Sequence, residues 1–318
     1  MKQLVTRRHP SRALFSLVAA LLLSPLAAPS AQAAGKINIV ASTMDLASLT
    51  SEVGGDRVNV MPIARGYQDP HFVEAKPSFL LNLRKADLLV VVGLELEIGW
   101  LPPLINQSGN PRIQPSAPGY FDASRFAEIL EIPTAQVSRA MGDVHPQGNP
   151  HYWLDPQNGL RVARGLAQKL AQLSPGDASY FQQRLDSFQK RLAEAEKRWD
   201  EQVKPYRGRK IITYHQSWPN FVKRFGLQVV EYVEPRPGIP PSPAHVVELI
   251  SLMKRQGVKL ILVEPYFDLK TPQSVARETG GQVVVLMPSV GGNPESGDYI
   301  KLFDYDISAL VKAFQQAR

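Results

Sequence analysis

Five histidines lie beyond residue 33, at His71, His145, His151, His215 and His245. Three of them stand at points where chemistry is easy to arrange. His71 closes the string Gly66-Tyr-Gln-Asp-Pro-His71, and His151 sits inside Gly148-Asn-Pro-His-Tyr-Trp-Leu-Asp-Pro156. His215 follows the run Ile211-Ile-Thr-Tyr214. A proline immediately before His71 and His151 stiffens the backbone that carries each ring. A side chain held in this way loses little entropy when it coordinates, which is useful for a metal ligand and pointless for a solvated one. Three imidazoles in one place suit a borderline divalent ion, zinc best, with manganese, iron and copper as alternatives. So carboxylate-poor a set argues against calcium and magnesium. The chain has no cysteine, which excludes disulfides, thiolate metal sites, Fe–S clusters, a Cys nucleophile and a lipid-modified N-terminal Cys.

The elements that must position these rings can be read from the hydropathy pattern. Lys36–Ser42, Val58–Pro62 and Leu88–Val92 read as strands, with helices at Met44–Val53 and Pro77–Lys85 between them. The continuous apolar run Leu88–Val92 suits a strand buried on both faces. Pro102–Pro118, rich in Pro, Gly, Asn and Ser, reads as loop, and Asp155–Leu173 as helix. Tyr180, Phe181, Leu185, Phe188, Leu192, Ala195, Trp199 and Val203 recur three or four apart, giving a long helix over Asp177–Val203 with one apolar stripe. A second α/β pattern follows. Its strands are expected at Lys210–Tyr214, Leu227–Val233, Leu260–Val263 and Val283–Leu286. Its helices are expected at Trp218–Phe225, Pro243–Gln256, Thr271–Thr279 and from Asp298. The expected fold is therefore α/β, with two parallel-sheet lobes joined by a long helix and a ligand cleft where strand ends face each other. The domain boundaries read as 34–176, 177–203 and 204–318, and a stiff connecting helix argues for small relative motion of the lobes.

Residues 1–33 belong to a different kind of segment. Lys2, Arg7, Arg8 and Arg12 precede the apolar run Ala13–Leu23, and Ala31-Gln32-Ala33 matches a small-residue cleavage site. Eleven apolar residues are too few for a span, which takes about 20. The expectation is a cleaved export signal and a soluble periplasmic protein. The segment also explains the charge. The chain carries 36 basic and 29 acidic residues, but without the four basic residues of the signal the excess falls to three. Nucleic-acid binding then loses its main support.

Several strings together resemble one family. They are Gly66–Glu74, Ala86-Asp-Leu88 with Gly93, Asn149-Pro-His-Tyr-Trp-Leu-Asp-Pro156, Thr213-Tyr-His-Gln-Ser-Trp218 and Val263-Glu-Pro265. In order, and over essentially the whole chain after the signal, they are similar to the zinc/manganese substrate-binding proteins of ABC importers (ZnuA/TroA-like). The resemblance implies two α/β lobes on a long helix and no catalysis. It also implies a monomer that delivers its metal to an ABC permease, with a metallochaperone as a further partner. It makes His71, His151 and His215 metal ligands for Zn²⁺, with Mn²⁺ or Fe²⁺ as alternatives. The family usually adds an Asp after the last strand of the second lobe, whereas Leu286-Met-Pro-Ser-Val-Gly-Gly292 has no carboxylate. Glu264 is the first candidate for the fourth position, Glu234 the second, with His145 or water as further alternatives. Many zinc members carry a long His-rich loop near His145; a single His there implies no large metal store. His245, after Ser242-Pro243 at a helix start, reads as structural.

Two rival functions follow from the same residues. Three histidines with an open position also describe a secreted zinc hydrolase, with Glu264 or Glu234 as general base, although no His-Glu-x-x-His helix is present. A metal-free adhesin keeping the two-lobed fold would show no thermal response to Zn²⁺.

Overall fold

A computed structural model describes residues 1–6, 35–137 and 141–317. The export-signal reading of residues 1–33 lies almost wholly outside the described residues. From Gly35 onward the chain forms one unit containing two four-stranded sheets. The first holds β1 (Ile37–Ala41), β2 (Val58–Pro62), β3 (Leu88–Val91) and β4 (Tyr120–Asp122), in the order β2-β1-β3-β4. The second holds β5 (Lys210–Thr213), β6 (Gln228–Tyr232), β7 (Leu260–Val263) and β8 (Gln282–Val285), in the equivalent order β6-β5-β7-β8. Every pairing is parallel. The strand order reverses between β1 and β3, and again between β5 and β7, which is where an open parallel sheet leaves a crevice beyond its carboxyl ends.

The apolar runs do what burial on both faces demands. In β3, Leu88 and Val90 face one core while Leu89 and Val91 face another. In β7, Leu260 and Leu262 face the first of these cores, and Ile261 and Val263 a third. The outer face of the first sheet is covered by α2 (Pro77–Lys85) and α3 (Leu101–Ser108). The outer face of the second is covered by α7 (Pro243–Gln256) and α8 (Lys270–Thr279). Between the sheets lie α1 (Met44–Gly54), α4 (Pro156–Leu173), α5 (Ala178–Val203), α6 (Pro219–Phe225) and α9 (Tyr299–Gln316).

The long periodic segment is the single helix α5, 26 residues long and so about 39 Å from end to end. Its stripe Phe181, Leu185, Phe188, Leu192, Ala195, Trp199 and Val203 is buried in a core shared by both sheets. Polar contacts fix it at both ends. Arg184 Nε donates to the Glu52 carbonyl of α1 at 2.9 Å, and Arg191 pairs with the Glu52 carboxylate. On the other side, Trp199 Nε1 donates to Asp304 Oδ1 of α9 at 2.7 Å. None of the helices among the described residues is long and apolar enough to cross a membrane.

One segment corrects the expectation of a loop over Pro102–Pro118. Leu101–Ser108 is helix α3, with Pro102 and Pro103 in its first turn. The first N–H groups of a helix have no intrahelical acceptor, so proline is harmless there and its fixed φ favours the turn. Gly109, at φ 64°, then ends the helix in a left-handed cap. The same stretch leads into β4, whose three residues are too short to show an alternating pattern.

Candidate metal centre

Three of the strand-end histidines converge. One ring nitrogen from each of His71, His151 and His215 lies within 4.8 Å of the other two. All three come from loops beyond strand carboxyl ends or before α4, two from the first lobe and one from the second.

Each ring is oriented through Nδ1. Asp69 Oδ1 accepts from the His71 backbone N–H at 2.9 Å and bonds its Nδ1 at 2.8 Å. Asn149 Oδ1 does the same for His151, at 2.9 Å in both cases. Asx-Pro-His is thus one device used twice, in which the side chain two residues upstream holds both the backbone and the ring. Asn149 Nδ2 donates to Glu131 and to the Gln216 carbonyl, which identifies Oδ1 as the acceptor and His151 Nδ1 as the donor. His215 Nδ1 bonds Glu234 Oε2 at 2.8 Å. With Nδ1 occupied, Nε2 is the atom each ring presents to its neighbours. His151 Nε2 is buried and has no hydrogen-bond partner. A buried, unpartnered lone pair is costly unless something electrophilic meets it.

Electrostatics separates the buried rings of His151 and His215. Burial, then the neighbouring histidines, hold His151 well below the ordinary imidazole value. Burial opposes charge on His215 too, but the Glu234 hydrogen bond and the nearby Glu264 and Asp69 raise it. Carboxylates back the rings of His71 and His215, and an amide oxygen backs that of His151, an outer arrangement found at histidine metal sites.

Glu264, expected as first candidate for a fourth ligand, does not join the three rings. Its side chain is buried at 0% exposure and Oε1 accepts from Trp218 Nε1 at 2.9 Å. Burial pushes its carboxyl up to about 7. Glu234 supports rather than coordinates: besides His215 it accepts the Gly238 N–H at 3.0 Å, so it also anchors its proline-rich loop. Removing that support by Glu234→Ala should weaken binding of a divalent cation at these rings by about 10–100-fold. Glu234→Gln should recover part of the loss, because an amide oxygen still accepts from Nδ1; competition against a chelator measures both. His245 is structural, its Nε2 lying 2.9 Å from the Tyr232 carbonyl.

His145 lies beside His71 but is not one of the three mutually close rings. Its Nε2 is 3.3 Å from His71 Nε2, and the ring centroids are 5.4 Å apart. The segment without a carboxylate after β8 serves another purpose. Trp153 Nε1 donates to the Pro288 carbonyl at 2.8 Å, and Asp45 of α1 receives Val290 N–H at 2.9 Å and the Ser289 hydroxyl. This loop clasps the first lobe instead of reaching the rings. The Asx acceptors escaped the sequence reading, although the repeated Asx-Pro-His spacing was a usable signal. Nothing in the sequence marked the Asp45 clasp.

Two parallel α/β lobes on one helix, with three imidazoles gathered between them, are the arrangement of a cation-binding protein. A family model described as ZnuA, zinc-uptake complex component A, periplasmic, matches residues 39–313, and the chain belongs to that family. A metal ABC transporter substrate-binding lipoprotein of Lactococcus lactis is 24% identical over 289 residues, covering 87% of this chain and 88% of its own length. The manganese ABC transporter substrate-binding lipoprotein PsaA of Streptococcus anginosus is 22% identical over 311 residues, covering 95% and 97%. A crystal structure of ZnuA superposes with a TM-score of 0.73 at 26% identity, over 87% of this chain and 99% of that one. The chain is thus a substrate-binding component of a metal ABC transporter, not an enzyme, and such a component works with a membrane permease and its ATPase.

Proposed function

We propose that this protein captures Zn²⁺ in the periplasm and delivers it to the permease of an ABC importer. His71, His151 and His215 act as the ligands through Nε2. The observation that carries this reading is the convergence of three imidazoles within 4.8 Å, each with Nδ1 tied back. Nitrogen ligation favours Zn²⁺ over Mn²⁺ in the usual order of divalent affinities, and the carboxylates Asp69 and Glu234 are committed to orienting rings. Glu264 then acts through Trp218, holding the segment that follows His215. The basic-apolar sequence of residues 1–33 supports export.

A ligand that binds only the folded state raises its stability by RT ln(1 + [L]/Kd), about 4 kcal/mol at a thousandfold excess over Kd. Metal-free protein should therefore melt several degrees higher with micromolar Zn²⁺, and less so with equal Mn²⁺. A melting temperature indifferent to Zn²⁺, in protein stripped by a chelator, would overturn the proposal.

A further inference from the structure

We infer that Asp45, which lies outside the three-ring cluster, is a positioning residue for two of its members. It fixes residues 287–290, the loop after β8, and that loop is the template on which the segments of His71 and His151 are built. This rests on the three-histidine reading above and deepens it by assigning what sets the place of those rings.

The loop is gripped from both lobes. Asp306 of α9 accepts Met287 N–H through Oδ1 at 2.8 Å. Asp45 of α1 accepts Val290 N–H through Oδ1 at 2.9 Å, and its other oxygen takes the Ser289 hydroxyl. Both carboxyl groups are at 0% exposure, so water cannot stand in for the bonds they make. Polar groups buried this deeply are costly without their partners, and that cost confines the loop to one position. Held in this way, Pro288 turns its carbonyl to Trp153 Nε1 at 2.8 Å.

Two ligand-bearing segments rest on these residues. Trp153 belongs to the single turn Tyr152–Leu154 that follows His151, and Leu154 N–H donates to the His151 carbonyl at 3.2 Å. The indole and the His151 ring are packed with centroids 5.3 Å apart. The Tyr299 hydroxyl of α9 donates to the Trp153 carbonyl, so this turn is pinned from the second lobe at its backbone as well as its indole. The His71 segment begins at Gly66, so close to the loop that a Cβ there would stand 2.0 Å from the Val290 carbonyl oxygen. Val290 is the residue whose N–H Asp45 holds. Release of the Asp45 grip therefore loosens the footing of both segments, whereas His215 is oriented separately by Glu234. Coordinating side chains must be held within about 0.5 Å of their working place, so the loss should be felt at the metal and not only in the melting temperature.

The test uses the full-length exported protein with Asp45→Ala, Asp45→Asn, Ser289→Ala and Met253→Ala. Asp45→Asn keeps both bonds, because the amide oxygen accepts from Val290 N–H and the amide nitrogen donates to the Ser289 oxygen. Met253→Ala is the stability control, a truncation on α7 in the outer core of the second lobe. Zn²⁺ affinity, measured by competition with a chelator, should fall about tenfold in Asp45→Ala and about threefold in Ser289→Ala. Asp45→Asn and Met253→Ala should bind like the parent. The visible absorption of Co²⁺-loaded protein, which reads ligand geometry at the metal, should change in Asp45→Ala and Ser289→Ala and in neither of the others. Parental affinity and spectrum in Asp45→Ala and Ser289→Ala overturn the proposal; Ser289→Ala alone decides this if Asp45→Ala does not fold. Asp45→Asn as impaired as Asp45→Ala, or an equal change in Met253→Ala, overturns it too. If His151→Ala loses Zn²⁺ binding while the Asp45 and Ser289 variants match the parent, the three-histidine reading stands and this one falls. If His151→Ala also binds like the parent, both fall.

Discussion

His215→Ala should lower the affinity for Zn²⁺ by about three orders of magnitude or more. Loss of an outer partner of a ligating histidine costs 10–100-fold, and loss of the ligand itself must exceed that. On the proposed assignment the substitution removes the ligand that the second lobe contributes, and it takes from the buried Glu234 carboxylate its imidazole partner. Two effects then act at one point, an unfilled coordination position and a buried carboxylate that keeps the Gly238 N–H but not the imidazole. His151→Ala should behave similarly, because its ring is 2% exposed and its Nε2 has no other partner. Calorimetric titration of metal-free protein measures the change, and parental affinity in either variant would remove these histidines from the site.

Gly66→Ala should produce a large loss of stability for a single added methyl. A Cβ at position 66 would stand 2.0 Å from the Val290 carbonyl oxygen and 2.5 Å from backbone atoms of Gly291 and Gly292. Those obstacles are backbone, which cannot swing aside as a side chain would. Overpacking costs about 1–3 kcal/mol, and this case belongs at the upper end. The melting temperature should drop by about 5 °C or more. Zn²⁺ affinity should fall with it, because Gly66 opens the loop that ends in His71. Gly176→Ala is the matching control: its Cβ would meet nothing within 4 Å, and its effect should stay within about 0.5 kcal/mol. Equal melting temperatures for the two variants would show that the loop after β8 yields freely.

Much of this architecture was legible because burial writes itself as period. Leu88–Val91 and Leu260–Val263 are uninterrupted apolar runs, and each separates two cores. The α5 stripe recurs at helical spacing and is buried as that spacing requires. Prolines misled the reading at Leu101–Ser108, since their meaning depends on whether they open a helix or interrupt it. At the site, Asp-Pro-His and Asn-Pro-His drew attention to His71 and His151 through local stiffness. The place of Glu264 at the end of β7 suggests a ligand, but place along a strand does not reveal which partner a buried carboxylate finds. Here that partner is the Trp218 indole. The approach of His145 to His71 joins residues 74 apart in sequence, and the Asp45–Val290 contact joins residues 245 apart. Such contacts are products of tertiary packing and leave no local pattern.

The interior shared along α5 has a mechanical consequence. Phe181 at one end and Trp199 at the other sit in the same apolar mass as Leu88 and Leu260, so there is no seam along which the molecule can shut like a clamshell. It behaves as a solid block with a notch. Filling of the notch should therefore register in the short loops at its rim rather than as a rotation of one sheet against the other.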